Sequence, residues 1–263
     1  MNTSPDTAPT LFISHGAPTF ALAPGDLGSR LGQLGQALDN VRAIVAVSPH
    51  WETTELRVSS NRVPETIHDF YGFPQELYAL QYPASGSPDI ANIVADMLRS
   101  AGLQIQLDPD RGMDHGVWVP LRYLRPQADI PVVCVSLPFD TTPAGAWQLG
   151  RALAPLRKLG FLLLGTGSLT HNLGEFRGSA TSEIAPYVKE FSGWIQDHID
   201  QRDLTSLLQY RSLAPHAVRA HPTEEHLLPL FVALGATSDQ DRFDVISSEV
   251  RYGMLSMASY RWH

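Results

Sequence analysis

Two short runs in this 263-residue chain, residues 43–48 (Ala-Ile-Val-Ala-Val-Ser) and 161–166 (Phe-Leu-Leu-Leu-Gly-Thr), are apolar at successive positions rather than at alternate ones. Successive side chains of a strand point to opposite faces, so such a strand must be covered on both sides, as in a parallel sheet between layers of helix. Residues 11–14 and 131–137 extend the set, and residues 56–60 and 104–107 read as further short strands. Helical patterns lie between them. In residues 88–101, Ile90, Ile93, Val94, Met97, Leu98 and Ala101 recur with helical spacing, and Gly102 supplies a stop. Residues 27–38, 117–124 and 144–159 also read as helices, 182–211 as one or two more, and 223–234 as a helix that opens just after Pro222. Residues 243–262 suggest an antiparallel hairpin around Gly253. This alternation predicts the α/β class: a single-domain layered α/β/α fold with a central mixed, largely parallel sheet. No linker, repeat or low-complexity stretch divides residues 1–263.

Composition removes several function classes. A formal net charge of −8 provides no concentrated basic face for a polyanion, so nucleic acid is not an expected partner. No apolar segment approaches the roughly 18 residues of a membrane span, and residues 1–9 lack the basic and apolar regions of a signal peptide. A cytoplasmic location is the resulting expectation. The single Cys134 falls inside an apolar run, which reads as an inert buried thiol rather than a nucleophile.

Histidines carry the chemistry. His15 in Ile13-Ser14-His15-Gly16 and His50 in Val47-Ser48-Pro49-His50-Trp51 follow two of the apolar runs directly, and His171 follows a third after Gly167-Ser168-Leu169-Thr170. Ligands gather at the carboxyl ends of strands in α/β sheets, and imidazole is the commonest protein ligand for zinc, iron and copper. A divalent metal site is therefore expected. His226 is read in the first turn of the helix after Pro222, five residues beyond His221. That separation turns about 140° on a helix, so the two should not face one metal; His226 is taken as the ligand and His221 as a neighbouring or substrate contact. The spacing also fails the metalloprotease pattern of histidines at i and i+4. Gly165-Thr166-Gly167-Ser168 looks superficially like a phosphate loop but lacks the Gly-Lys-Ser/Thr ending. Asp114-His115 opens an apolar helix, either as a functional histidine or as an N-capping aspartate with a bystander. His68-Asp69-Phe70-Tyr71-Gly72-Phe73-Pro74 reads equally as a pocket wall or as loop packing, and His198, His216 and His263 read as solvent-facing.

Taken together, Ser14-His15-Gly16, Ser48-Pro49-His50-Trp51, Asp69 to Pro74, Asp114-His115-Gly116, Thr170-His171-Asn172 and His221 to His226 resemble the class III extradiol ring-cleaving dioxygenases of the LigB type, particularly the DOPA 4,5-dioxygenase branch. The resemblance implies a non-haem iron(II) centre that opens a small catechol next to its hydroxyls, with O2 as co-substrate. It implies His15, His50 and His226 as ligands, with the carboxylate of Glu225 as the alternative to His226 and His171 near enough to be a fourth. It implies His171 as the base and His115 as its partner toward oxygen or substrate, while Trp51, Tyr71 and Phe73 are expected at the pocket mouth. Zinc occupies sites in proteins similar to this branch, so zinc is expected to compete for the same donors. Two rival readings stay open: a zinc hydrolase that uses metal-activated water, with Glu225 or Glu52 as the carboxylate placed to help it, and a non-catalytic Memo-like binding protein on the same fold.

Overall fold

The computed structural model describes residues 7–176 and 183–263. Its strands are β1 (Thr10–Ser14), β2 (Ala43–Thr53), β3 (Arg57–Ser59), β4 (Gln106–Asp108), β5 (Val132–Pro138), β6 (Phe161–Gly167), β7 (Phe243–Ser247), β8 (Val250–Arg251), β9 (Leu255–Ser256) and β10 (Ser259–Trp262). Eight of them form one sheet in the order β4-β3-β5-β2-β6-β1-β10-β7. The middle four, β5, β2, β6 and β1, run parallel, while β3 and β10 flank them antiparallel. The sheet is mixed and largely parallel, as the two-faced apolar runs required.

Helices α1 (Gly25–Gly35), α2 (Gln75–Tyr78), α3 (Pro88–Ser100), α4 (His115–Leu124), α5 (Pro143–Leu153), α6 (Pro186–Asp200), α7 (Leu204–Leu208), α8 (Tyr210–Leu213), α9 (Ala217–Ala220) and α10 (Leu228–Gly235) complete the fold. Adjacent residues of β6 show how they divide. Thr166 donates its hydroxyl proton to the Gly116 carbonyl of α4 on one face, whereas a Cβ added to Gly167 would lie 2.2 Å from the His226 carbonyl just before α10 on the other. With α1 packed on α4, and α5 on α10, the sheet is covered on both sides.

Several boundaries differ from expectation for identifiable reasons. Strand β2 continues past residue 48 to Thr53: Val47 pairs with Val135 and Glu52 with Leu137, so β2 takes five steps where β5 takes two. Pro49 lacks the N–H that a ladder needs, and Ser48-Pro49-His50-Trp51 bulges from the register. The helix expected from residue 223 begins at Leu228, because Pro229 is tolerated only in a first turn; residues before it form turns in which Leu227 and Leu228 N–H both donate to the Glu224 carbonyl. His226 therefore precedes the helix rather than standing in its first turn. Likewise residues 154–159 tighten into a 3-10 segment with Pro155 in its first turn, capped by Gly160. The helical segment expected from residue 182 resolves into α6, α7 and α8, and Ser182 itself lies outside the described residues. At the tail, the antiparallel β7–β10 pair encloses the small β8–β9 hairpin around Gly253.

Arg157 fastens the periphery. It is 2% exposed, and it donates to the Ala8 and Ala236 carbonyls and to both oxygens of Asp241.

Candidate metal and active site

Five histidines converge at the carboxyl ends of the parallel strands. His15 follows β1, with its N–H donating to the Gly167 carbonyl at 2.9 Å. Gly16 turns the chain at φ +63°, and a Cβ there would strike Met257 Sδ at 2.6 Å. His50 sits in the β2 bulge, His115 opens α4, His171 follows β6, and His226 precedes α10. Together they line a cavity of about 480 Å³. Phe70, Tyr71 and Phe73 form one wall of it, Leu173, Phe176, Tyr252, Met254 and Leu255 another, and residues 16–19 a third.

Three of the rings have their inward nitrogen chosen for them. The carboxylate of Glu225 accepts from His226 Nδ1 at 2.8 Å, and that of Asp69 lies 3.5 Å from His50 Nδ1. A carboxylate only accepts, so His226 Nδ1 carries the proton, and the charge of the nearby Asp69 favours the same tautomer in His50. For His15, Nδ1 faces the Thr166 hydroxyl at 3.1 Å, whose own proton is given to the Gly116 carbonyl at 2.6 Å; His15 must again be the donor. Nε2 of all three is left as a lone pair. The His15 and His50 Nε2 atoms lie 3.1 Å apart, and ring centroids of the trio are 5.0, 5.0 and 5.7 Å apart. Imidazoles bound at about 2.1 Å to one tetrahedral ion would place their centroids roughly 5 Å apart. The donor set thus fits a divalent metal, with Thr166 and Glu225 holding His15 and His226 from behind and the Asp69 carboxylate 3.5 Å behind His50.

Charge favours the same reading. Burial, then repulsion from His50, holds His15 well below the ordinary imidazole range, and burial with His115 brings His50 to about 4. Burial lowers His226 despite its bond to Glu225, and lowers His171 as well. These rings are therefore neutral at pH 7 and able to donate lone pairs. Asp69 is brought down to about 2 although burial opposes it, because His115 outweighs that cost. Asp69 Oδ1 also accepts the His115 backbone N–H at 2.9 Å. His115 Nδ1 stands 3.0 Å from Asp69 Oδ2 but off the line of a hydrogen bond. Donor atoms of His15, His50 and His115 lie within 4.8 Å of one another, as do those of His171, Glu225 and His226. The His171 ring stacks on His226 at 3.5 Å.

Tyr71 and Phe73 line the cavity, with Tyr71 90% exposed at its edge. Trp51, expected beside them, does not. Side chains alternate along an extended chain, so the residue after His50 turns away, and Trp51 packs 5.1 Å beneath the Arg111 guanidinium. His221 is also not among the cavity's lining residues. It is fully buried against Phe191, with Nε2 at 2.9 Å from the Leu169 carbonyl, where it braces the loop that carries His171. Glu225 serves His226, and burial and Glu225 raise the carboxyl of Glu52; neither lines the cavity. His68 bonds the Leu80 carbonyl and packs edge-on against Trp118, which is loop packing. His216 is exposed beside Glu190, whereas His198 and His263 are half-buried beside the Trp194 carbonyl and Asp244. The Cys134 thiol is buried and pushed up to about 12. Asp114 occupies the cap position of α4, yet its side chain pairs with Ser48 and Arg111 instead of capping. Sequence reading had no role for Asp69 or Thr166; only the run Asp69 to Pro74 hinted at the first, and an ordinary strand threonine announces nothing.

Comparison with known proteins agrees with this geometry. Residues 27–262 match the family of the catalytic LigB subunit of aromatic ring-opening dioxygenases. The chain is 35% identical to a Beta vulgaris protein named 4,5-DOPA dioxygenase extradiol, covering 96% of each, and 36% identical to an Escherichia coli K12 protein of that name, covering 95% of this chain and 93% of the relative. It is 34% identical to the dioxygenase tasH of Hapsidospora irregularis over 97% of this chain and 85% of that one. A crystal structure of an uncharacterised Escherichia coli K12 protein superposes with a TM-score of 0.77 at 29% identity, covering 97% of this chain and 99% of that one. With its histidines gathered at the strand ends of the shared fold, this chain belongs to the LigB family of extradiol ring-cleaving dioxygenases, on the DOPA 4,5-dioxygenase-like branch.

Proposed function

We propose that this enzyme opens the ring of a small catechol, DOPA or a related compound, with O2, using iron(II) held by His15, His50 and His226. The observation that carries the reading is the convergence of three neutral imidazoles at the floor of an aromatic-walled cavity, His15 and His226 hydrogen-bonded through Nδ1 and His50 with the Asp69 carboxylate 3.5 Å from its Nδ1. His115 is the weaker candidate for third ligand. Its ring centroid lies 4.2 Å from that of His50, closer than the roughly 5 Å expected of two imidazoles sharing a tetrahedral ion.

Iron(II) bound by these residues supplies a path for electrons from the ionised catechol to O2, which zinc, lacking a second accessible oxidation state, does not. The chain's own residues do the rest. His171, neutral and facing the cavity, takes a proton from a catechol hydroxyl and returns it after ring opening. His115, held at its backbone and flanked through Nδ1 by Asp69, contacts the second oxygen or O2 with its other nitrogen. Phe70 and Phe73 meet edge-on at 5.5 Å and present flat apolar surface to an aromatic ring while excluding water.

The test compares protein stripped of metal and reloaded anaerobically with iron(II) or zinc, then mixed with catechols in air. Oxygen consumption and a yellow product are expected with iron alone. Affinity rises from iron toward zinc along the divalent series, so zinc found in purified protein does not count against the reading. Iron-loaded protein inert across a broad catechol panel, with zinc-dependent ester hydrolysis beside it, would replace ring opening with hydrolysis.

A further inference from the structure

Tyr252 violates the conformational preference of its position. The connection between β8 and β9 turns through Tyr252 at φ +53° and Gly253 at φ +66°. Left-handed backbone suits glycine or asparagine, and a bulky side chain there is strained. Such strain persists only where the surroundings impose it, and it clusters at ligand-binding positions. Here the surroundings are firm: the Gly253 carbonyl accepts from Ala185 N–H at 2.8 Å, and Thr170 donates to the Met254 carbonyl at 2.8 Å while accepting from Ser256 N–H at 2.7 Å. The hairpin is thus pinned beside the His171 loop.

From that turn the Tyr252 ring reaches the cavity. It meets Phe176 edge-on at 5.1 Å, and its hydroxyl lies 3.1 Å from Thr19 Oγ1 across the opening. Both residues line the same cavity as the histidines and are partly exposed, whereas His15, His115 and His226 are buried. Two hydroxyls bonded to each other use one of their two protons, so one O–H and several lone pairs remain for a ligand.

We propose that Tyr252, together with Thr19, is the specificity determinant of the cavity, hydrogen-bonding a polar substituent that the catechol carries away from its two hydroxyls. The inference rests on the ring-opening reading, in which the histidine floor takes the hydroxyls and the rest of the ring points outward. A substituent ending in oxygen or nitrogen gains a partner at the rim; an alkyl group of the same length gains none.

Calorimetric titration of zinc-loaded protein, where no turnover occurs, compares 4-(2-hydroxyethyl)catechol with its isostere 4-propylcatechol. Tyr252→Phe is expected to reduce the preference for the hydroxyethyl compound about 3- to 10-fold, the worth of one hydrogen bond, and to leave 4-propylcatechol within about twofold. Thr19→Val should shift the ratio the same way. Tyr252→Asn suits the turn better and should fold, as judged by thermal melting, yet lose the preference. An unchanged ratio in Tyr252→Phe and Thr19→Val, a wild-type ratio in Tyr252→Asn, or wild-type protein that binds neither compound would overturn the proposal. Oxygen uptake by iron-loaded wild type with 4-propylcatechol is the separate check on ring opening. Its absence would count against that reading, while the binding ratio still decides the role of Tyr252.

Discussion

At the scale of single residues, ring spacing sets the proposed ligands apart: the centroids of His15, His50 and His226 lie 5.0 to 5.7 Å from one another, whereas those of His50 and His115 lie 4.2 Å apart. His15 and His226 are hydrogen-bonded through Nδ1 to Thr166 and Glu225, and the Asp69 carboxylate lies 3.5 Å from His50 Nδ1. Alanine at any of the three is expected to lose bound metal. His171→Ala and His115→Ala should retain it and lose about 10²- to 10⁴-fold in turnover. Metal analysis beside oxygen-uptake rates checks the split, and full metal content in His15→Ala or His226→Ala would refute the ligand set. His221 acts on stability instead. Burial, partly offset by its bond to the Leu169 carbonyl, brings it from the ordinary 6.5 to about 4, so the unfolded chain binds a proton that the native state refuses. Stability present above pH 6.5 should therefore drain away as pH falls toward 4, this one group contributing about 2 kcal/mol between pH 7 and 5. Urea titrations of metal-free wild type and His221→Gln at the two pH values test it. The variant should show the shallower loss with acid. His15, His50 and His171 were legible because they stand in short motifs after apolar runs, and His226 because it follows Pro222 at an expected helix start. Thr166 was not, since its part depends on a Gly116 carbonyl fifty residues away in the chain.

At the scale of elements, two irregularities deliver the histidines. The β2 bulge lifts His50 out of the ladder, and the absence of a side chain at Gly167 lets the turn carrying His226 rest on the end of β6, where the Ser168 N–H donates to the His226 carbonyl at 2.9 Å. What resembled a phosphate loop is thus a strand end shaped for close backbone approach. Gly167→Ala forces a Cβ against that carbonyl and is expected to cost about 1–3 kcal/mol by overpacking. It should also weaken metal retention against a chelator more than an equally destabilising substitution far from the site does. Equal losses in the two proteins would mean that the turn does not position His226. The sequence placed the start of this helix too early, because Pro222 was read as the helix opening when Pro229 marks it. It placed Trp51 at the pocket because a bulge leaves no mark in composition, only in register.

At the scale of the whole molecule, the antiparallel tail closes the sheet and Arg157 locks the perimeter. The guanidinium joins the segment before β1, the residue after α10 and Asp241 at a buried point. Arg157→Ala leaves Asp241 buried without its partner and is expected to cost about 3–5 kcal/mol. Denaturant midpoints measure this, and a loss within about 0.5 kcal/mol would show the pair to be dispensable. By itself the sequence determined the layered α/β class, the parallel centre of the sheet and the histidines that face its carboxyl ends. Those follow from local period: two-faced apolar runs must be covered, and turns after them must open where ligands gather. Only the tertiary structure decided that Asp69 stands behind His50 and beside His115, that His221 turns from the cavity to brace a loop, and that Tyr252 crosses its mouth to Thr19. Each of these contacts joins residues distant in the chain through side-chain direction and strand register, and none is fixed until every element has packed.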